Sequence, residues 1–124
     1  MGGKTFKDQK TGFNPASRIP TEDIRTLEGS VLSVFYDHFK KMELVTSPEL
    51  FNKEDHGDID FLVLPLENSR ETLRIICNNL GYLNKPNGNM EHILVPLTNK
   101  DGGLSNYQVD FIFCKDCSAL ALKA

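Results

Sequence analysis

The chain has no tryptophan, only 9% aromatic residues and three cysteines among its 124 residues. An odd number of cysteines in a chain that reads as unsecreted argues against a disulfide framework, so reduced thiols are expected. Long hydrophobic runs are missing too, and none approaches the ~18 to 20 apolar residues that cross a bilayer. The start, Met1-Gly2-Gly3-Lys4-Thr5-Phe6-Lys7, lacks the apolar stretch of a signal peptide. A soluble, intracellular, cytoplasmic protein with no membrane partner is therefore expected. Positive charge is also in short supply, with 14 Lys and Arg against 17 Asp and Glu. This excludes a chain that wraps nucleic acid by electrostatics alone, so any such contact must be local.

What remains is the composition of one compact domain, 40% hydrophobic and 25% charged. Residues 1–19 stand apart, because Lys4, Lys7, Lys10 and Arg18 oppose only Asp8 among Gly, Pro, Asn and Gln. They read as a flexible basic arm, either a solvated tail or a segment that contacts phosphate. The folded domain is expected over residues 20–117, with a frayed end over 118–124.

From residue 21 to 42, Ile24, Leu27, Val31, Val34, Phe35, Phe39 and Met42 recur at three- and four-residue steps. The spacing predicts one amphipathic helix, capped by Thr21 and with Glu22 and Asp23 favourably placed in its first turn. Short runs at 43–45, 59–64, 92–97 and 107–113, each bounded by Gly, Pro, Asn or Asp, predict strands. Asn68 and Glu71 read as a capping box ahead of Leu73, Ile76, Cys77 and Leu80, with Gly81 at the C-terminal cap. Turns are predicted at 86–89 and 99–103, and Pro96 marks its strand as an edge or a strand end. The order helix, strand, strand, helix, strand, strand predicts an α/β protein of the α+β kind, a small mixed sheet with helices packed on one face.

Asp58-Ile59-Asp60 opens the most apolar strand. Side chains alternate across a sheet, so Asp58 and Asp60 share one face while Ile59, Phe61 and Val63 share the other. Two carboxylates whose Cα atoms lie roughly 6.6 to 7 Å apart repel each other in a dry setting, and a divalent cation removes that repulsion. Mg²⁺ takes oxygen ligands, typically one or two carboxylates plus phosphates and water. In the run 107–113, Asp110 is the one charged side chain among apolar neighbours. If that strand lies beside the first, Asp58, Asp60 and Asp110 become a catalytic, metal-binding cluster. Such a cluster holds two Mg²⁺ ions, or Mn²⁺ in their place, about 3.5 to 4 Å apart, the arrangement used for in-line displacement at phosphorus. The competing reading of Asp-x-Asp alone is a cap on the Gly57 turn followed by a carboxylate facing water.

The stretch Lys53-Glu54-Asp55-His56-Gly57-Asp58-Ile59-Asp60-Phe61-Leu62-Val63, together with Val109-Asp110-Phe111, resembles the nucleotidyltransferase superfamily that includes the X-family DNA polymerases. The palm of that family carries Gly-Asp-x-Asp followed by apolar residues and a third Asp on a later strand. The resemblance covers residues 20–113 in element order and is specific across 53–63 and around Asp110. It implies a nucleotidyltransferase-like palm, a nucleoside triphosphate substrate and two Mg²⁺ ions on Asp58, Asp60 and Asp110. The implied reaction moves a nucleoside monophosphate to a hydroxyl or phosphate acceptor on a nucleic acid, a small molecule or a protein. It also implies nucleotide contacts from Gly57, from Lys53 and from a turn about ten residues upstream, where family members carry Gly-Ser. Here that turn reads Thr46-Ser47-Pro48-Glu49-Leu50-Phe51. Ser47 keeps a hydroxyl, but the glycine is absent and Pro48 has no amide to donate. The departure keeps a second reading open, a catalytically degenerate module of the same fold that binds a partner. A bare palm of this size also leaves room for a second domain or subunit to hold the acceptor.

Cys114 and Cys117 have the spacing of half a zinc site, but beyond them the chain offers only Cys77, expected to be buried, and three scattered histidines. His56, beside Gly57, is close enough to the metal face to matter yet reads first as a solvated turn residue. His38 and His92 stand without a constellation around them.

Overall fold

A computed structural model describes residues 5–46, 50, 52–66, 68–98 and 102–114. Strand β1 (Ile19–Pro20) leads through a 3-10 turn into helix α1 (Ile24–Phe35), and a second 3-10 turn leads into β2 (Phe39–Leu44). β3 (Asp55–His56) and β4 (Asp58–Pro65) precede helix α2 (Ser69–Leu80), and β5 (Asn84–Asn87), β6 (Met90–Thr98) and β7 (Leu104–Phe113) complete the chain order. β1 pairs antiparallel with β3. The other five strands form one mixed sheet in the order β2-β4-β7-β6-β5, in which only the central β4–β7 pair is parallel. The fold is α+β, with both helices on one face of the sheet, as the element order predicts.

Alternation explains that face. Ile59, Phe61 and Val63 of β4, Val109 and Phe111 of β7, and Ile93 and Val95 of β6 meet Leu27, Val31 and Phe35 of α1 and Leu73 and Cys77 of α2 in one buried cluster. The Phe111 ring lies at its centre, 5.2 Å from Phe35, 5.9 Å from Phe61 and 6.1 Å from Phe39, each edge to face. That is the geometry the ring quadrupoles favour. Cys77 is buried as expected, and burial, with a smaller effect from Glu91, pushes its thiol up to about 12. On the same side, Arg70 and Arg74 of α2 reach the fully buried Glu91 of β6 at 3.0 and 2.6 Å, which ties the helix to the sheet.

Several local expectations are corrected. The helix predicted over 21–42 ends at Phe35, and Phe39 and Met42 belong to β2. The register of β2 against β4 shifts between Phe39 and Lys41. An extra residue in a strand puts two inward side chains three positions apart, which imitates a helical step. The Thr21 hydroxyl donates to the Lys53 carbonyl and does not cap α1. Asn68 makes no side-chain cap either; it adopts a left-handed backbone with φ 61°. Gly81, with φ 77°, closes α2 as predicted. Half of the turn predicted at 86–89 is strand, because β5 pairs with β6 through the two residues Gly88 and Asn89. Gly88 has φ 59°, the conformation a tight hairpin asks of its first turn residue. Pro96 lies beyond the last β5 partner, Ile93, so β6 has only β7 beside it there.

Within residues 1–19, Asp8 closes a local turn through the backbone N–H of Lys10, and Ser17 donates to the Asn106 carbonyl at 2.8 Å. Arg18 pairs with Asp55 at 2.8 Å and Ile19 is fully buried. The end expected over 118–124, Cys117, and residues 99–101 of the predicted turn lie outside the described residues. Among the described residues, no helix is long and apolar enough to cross a membrane.

Replacing Phe111 with alanine removes the ring on which the other three converge and is expected to cost about 3 to 5 kcal/mol. Leu104→Ala, at a side chain 70% exposed, is expected to stay within about 0.5 kcal/mol. Urea denaturation of the two variants beside the parent chain measures the contrast.

Candidate metal centre

The parallel pairing of β4 with β7 sets Asp60 directly opposite Asp110 and Asp58 opposite Gln108. Residues opposite each other in a ladder share a face, and the face opposite Ile59, Phe61 and Phe111 is the one away from the helices. Asp58, Asp60 and Asp110 therefore converge: each offers a carboxylate oxygen within 4.8 Å of the others. Asp110 is only 3% exposed, and Asp58 and Asp60 are half-buried.

Carboxylates this close and partly buried disfavour each other's charge, and both β4 aspartates show it. Burial, then the neighbouring Asp58, then Asp110, push the Asp60 carboxyl up to about 6. Asp58 is raised as well, by burial first and by Asp110 second. Three hard oxygen donors within reach of one point are of the type that suits Mg²⁺ or Mn²⁺, and a cation there would offset their mutual repulsion. The donor set therefore fits the ion expected from the sequence.

Two further residues complete the surroundings of Asp110. His92, read from the sequence as isolated, lies opposite Asp110 in the β6–β7 ladder, and its Nδ1 is 2.7 Å from Asp110 Oδ1. The Gln108 amide donates to the same oxygen at 3.0 Å and to the Thr5 hydroxyl oxygen at 3.0 Å. A usable signal existed for His92: residues equidistant from the middle of the turn predicted at 99–103 pair across a hairpin, and His92 and Asp110 are equidistant from position 101. Lys85 of β5 is the register partner of His92 and extends the row Asp60, Asp110, His92 across a fourth strand.

On the other side of the cluster, Lys53 and His56 line a cleft of about 180 Å³ with Val45, Leu50, Asp58, Ile59 and Asp60. His56 is not merely solvated, because its Nε2 lies 2.6 Å from the Leu50 carbonyl oxygen. Gly57 separates β3 from β4 and so sits directly before the cluster. Ser47 and Pro48 lie outside the described residues. No protein-family model and no curated protein matches the chain.

The raised Asp60 carboxyl predicts a pH dependence. A carboxyl near 6 in the folded chain and about 3.9 in the unfolded chain binds more protons when folded between those values, so stability falls as pH rises from about 4 to 6. Below about pH 4 both states are protonated and the penalty vanishes. Asp60→Asn is therefore expected to stabilise the metal-free chain at neutral pH by on the order of 1 to 3 kcal/mol, with little effect below about pH 4. Thermal unfolding in a chelator across this range measures it, and a variant that follows the parent profile contradicts the assignment.

Proposed function

We propose that the chain is a metal-dependent nucleotidyltransferase that moves a nucleoside monophosphate from a nucleoside triphosphate to a hydroxyl or phosphate acceptor. The observation that carries this reading is the convergence of Asp58, Asp60 and Asp110 from two parallel strands to within 4.8 Å. The Gly-Asp-x-Asp resemblance, with its third Asp on a later strand, supports it. Asp58, Asp60 and Asp110 would hold two Mg²⁺ ions. Bound there, these ions supply positive charge to the triphosphate and lower the pKa of the attacking group.

The chain's own residues divide the remaining work. The three carboxylates would fix where the ions sit, and so where the phosphates sit, and one of them would accept the proton that the attacking hydroxyl releases. The acceptor oxygen bonds to the α-phosphorus as the bond to the bridging oxygen breaks, and pyrophosphate leaves. Lys53, in the cleft beside Asp58 and Asp60, offers charge to the phosphates. Gly57 lets the backbone before Asp58 approach the nucleotide without a side chain between them. The acceptor would be a nucleic acid, a small molecule or a protein, with room for a second domain or subunit to hold it.

Calorimetry with a nucleoside triphosphate at millimolar concentration, with and without Mg²⁺, tests the reading. Binding is expected only with Mg²⁺. Asp58→Asn and Asp110→Asn are each expected to reduce it at least tenfold while the chain stays folded. No Mg²⁺-dependent binding by the parent chain would leave the non-catalytic binding module as the better account.

A further inference from the structure

We propose that His92 and Gln108 are positioning residues for Asp110: together they hold its Oδ1 and leave Oδ2 directed at the cation. This rests on the proposed function, whose metal it uses. The last torsion of an aspartate is broad and nearly two-fold, so an unrestrained carboxylate presents either oxygen. Here the two oxygens are not equivalent. His92 Nδ1 at 2.7 Å and Gln108 Nε2 at 3.0 Å both approach Oδ1. His92 Nδ1 stands at the distance from which a ring N–H donates to a carboxylate oxygen. The other ring nitrogen is held as well, with the Asn87 amide nitrogen 3.4 Å from Nε2.

Both positioning side chains are themselves held. His92 is 6% exposed and Gln108 fully buried. The ladder sets His92 opposite Asp110 on the same face, and Gln108, two residues before Asp110 in β7, shares that face. The Gln108 amide is fixed further by its hydrogen bond to Thr5. Hydrogen bonds of this kind, from a group behind a ligand, orient the ligand and tune its affinity for the ion.

The test is a Mn²⁺ titration of the full chain by electron paramagnetic resonance, with circular dichroism to verify folding. The parent chain is expected to bind Mn²⁺. His92→Phe, which keeps a ring and removes the donor, is expected to weaken binding by about tenfold to a hundredfold. His92→Asn, whose amide N–H stands close to where Nδ1 stood, is expected to recover most of that loss. Gln108→Leu is expected to weaken binding in the same direction, and it decides the matter should His92→Phe not fold. A residue that only fills space would change the melting temperature and leave Mn²⁺ affinity alone. Parent-like affinity in the folded His92→Phe or Gln108→Leu chain overturns the inference while leaving the metal site standing. A parent chain that binds no Mn²⁺ at millimolar concentration overturns the proposed function, and this inference with it.

Discussion

The parallel ladder between β4 and β7 is the constraint on which the rest of the molecule depends. It sets Ile59 against Val109 and Phe61 against Phe111 on the helix face, and Asp58 against Gln108 and Asp60 against Asp110 on the other. Because the side-chain period in a strand is two, these pairings cannot be changed separately, and a slip of one residue would drive carboxylates among the phenylalanine rings. The magnitudes say which face decides. Burying four apolar side chains contributes roughly 1.5 to 3 kcal/mol each, whereas a carboxyl displaced by about two pKa units costs roughly 3 kcal/mol. The core sets the register, and the aspartates are held together against their own repulsion.

β6 extends the same logic by one strand. Glu91 faces the helices, where it receives Arg70 and Arg74, and the next residue, His92, faces the cluster, where it meets Asp110. A buried carboxylate stripped of its guanidinium partners is expensive, so Glu91 admits only one orientation of the strand. That orientation is also the one that brings His92 to Asp110. The anchor of α2 and the support of the candidate site are therefore adjacent residues with opposite facing.

Much of this was legible one element at a time. Helix α2 stands out through its stripe of Leu73, Ile76 and Cys77 and its terminal Gly81, and β4 and β7 through apolar runs in which the only charged side chains are aspartates. What escaped depends on pairing. The bulge in β2 gave Phe39 and Met42 a helical spacing, since the extra residue is visible only against β4. β5 is short and polar and acquires its strand character from β6. His92 has no partner nearby in the sequence because Asp110 lies on the neighbouring strand, on the far side of the turn predicted at 99–103. Gln108 carries no charge to attract notice, and its importance follows only from sharing a face with Asp110.

On the proposed reading, the charges around the cluster impose an order on its ligands. The chain carries a formal net charge of −3, and three carboxylates stand within 4.8 Å of one another. Among the described residues, Lys53 is the one lysine lining the adjoining cleft. Two like charges about 4 Å apart repel by roughly 4 kcal/mol at an effective dielectric constant near 20, more than one partly solvated lysine offsets for a triphosphate facing three aspartates. The cation must then precede or accompany the nucleotide, and each raises the affinity for the other by the same factor. The support that His92 and Gln108 give to Asp110 would in this way reach the nucleotide without either residue touching it.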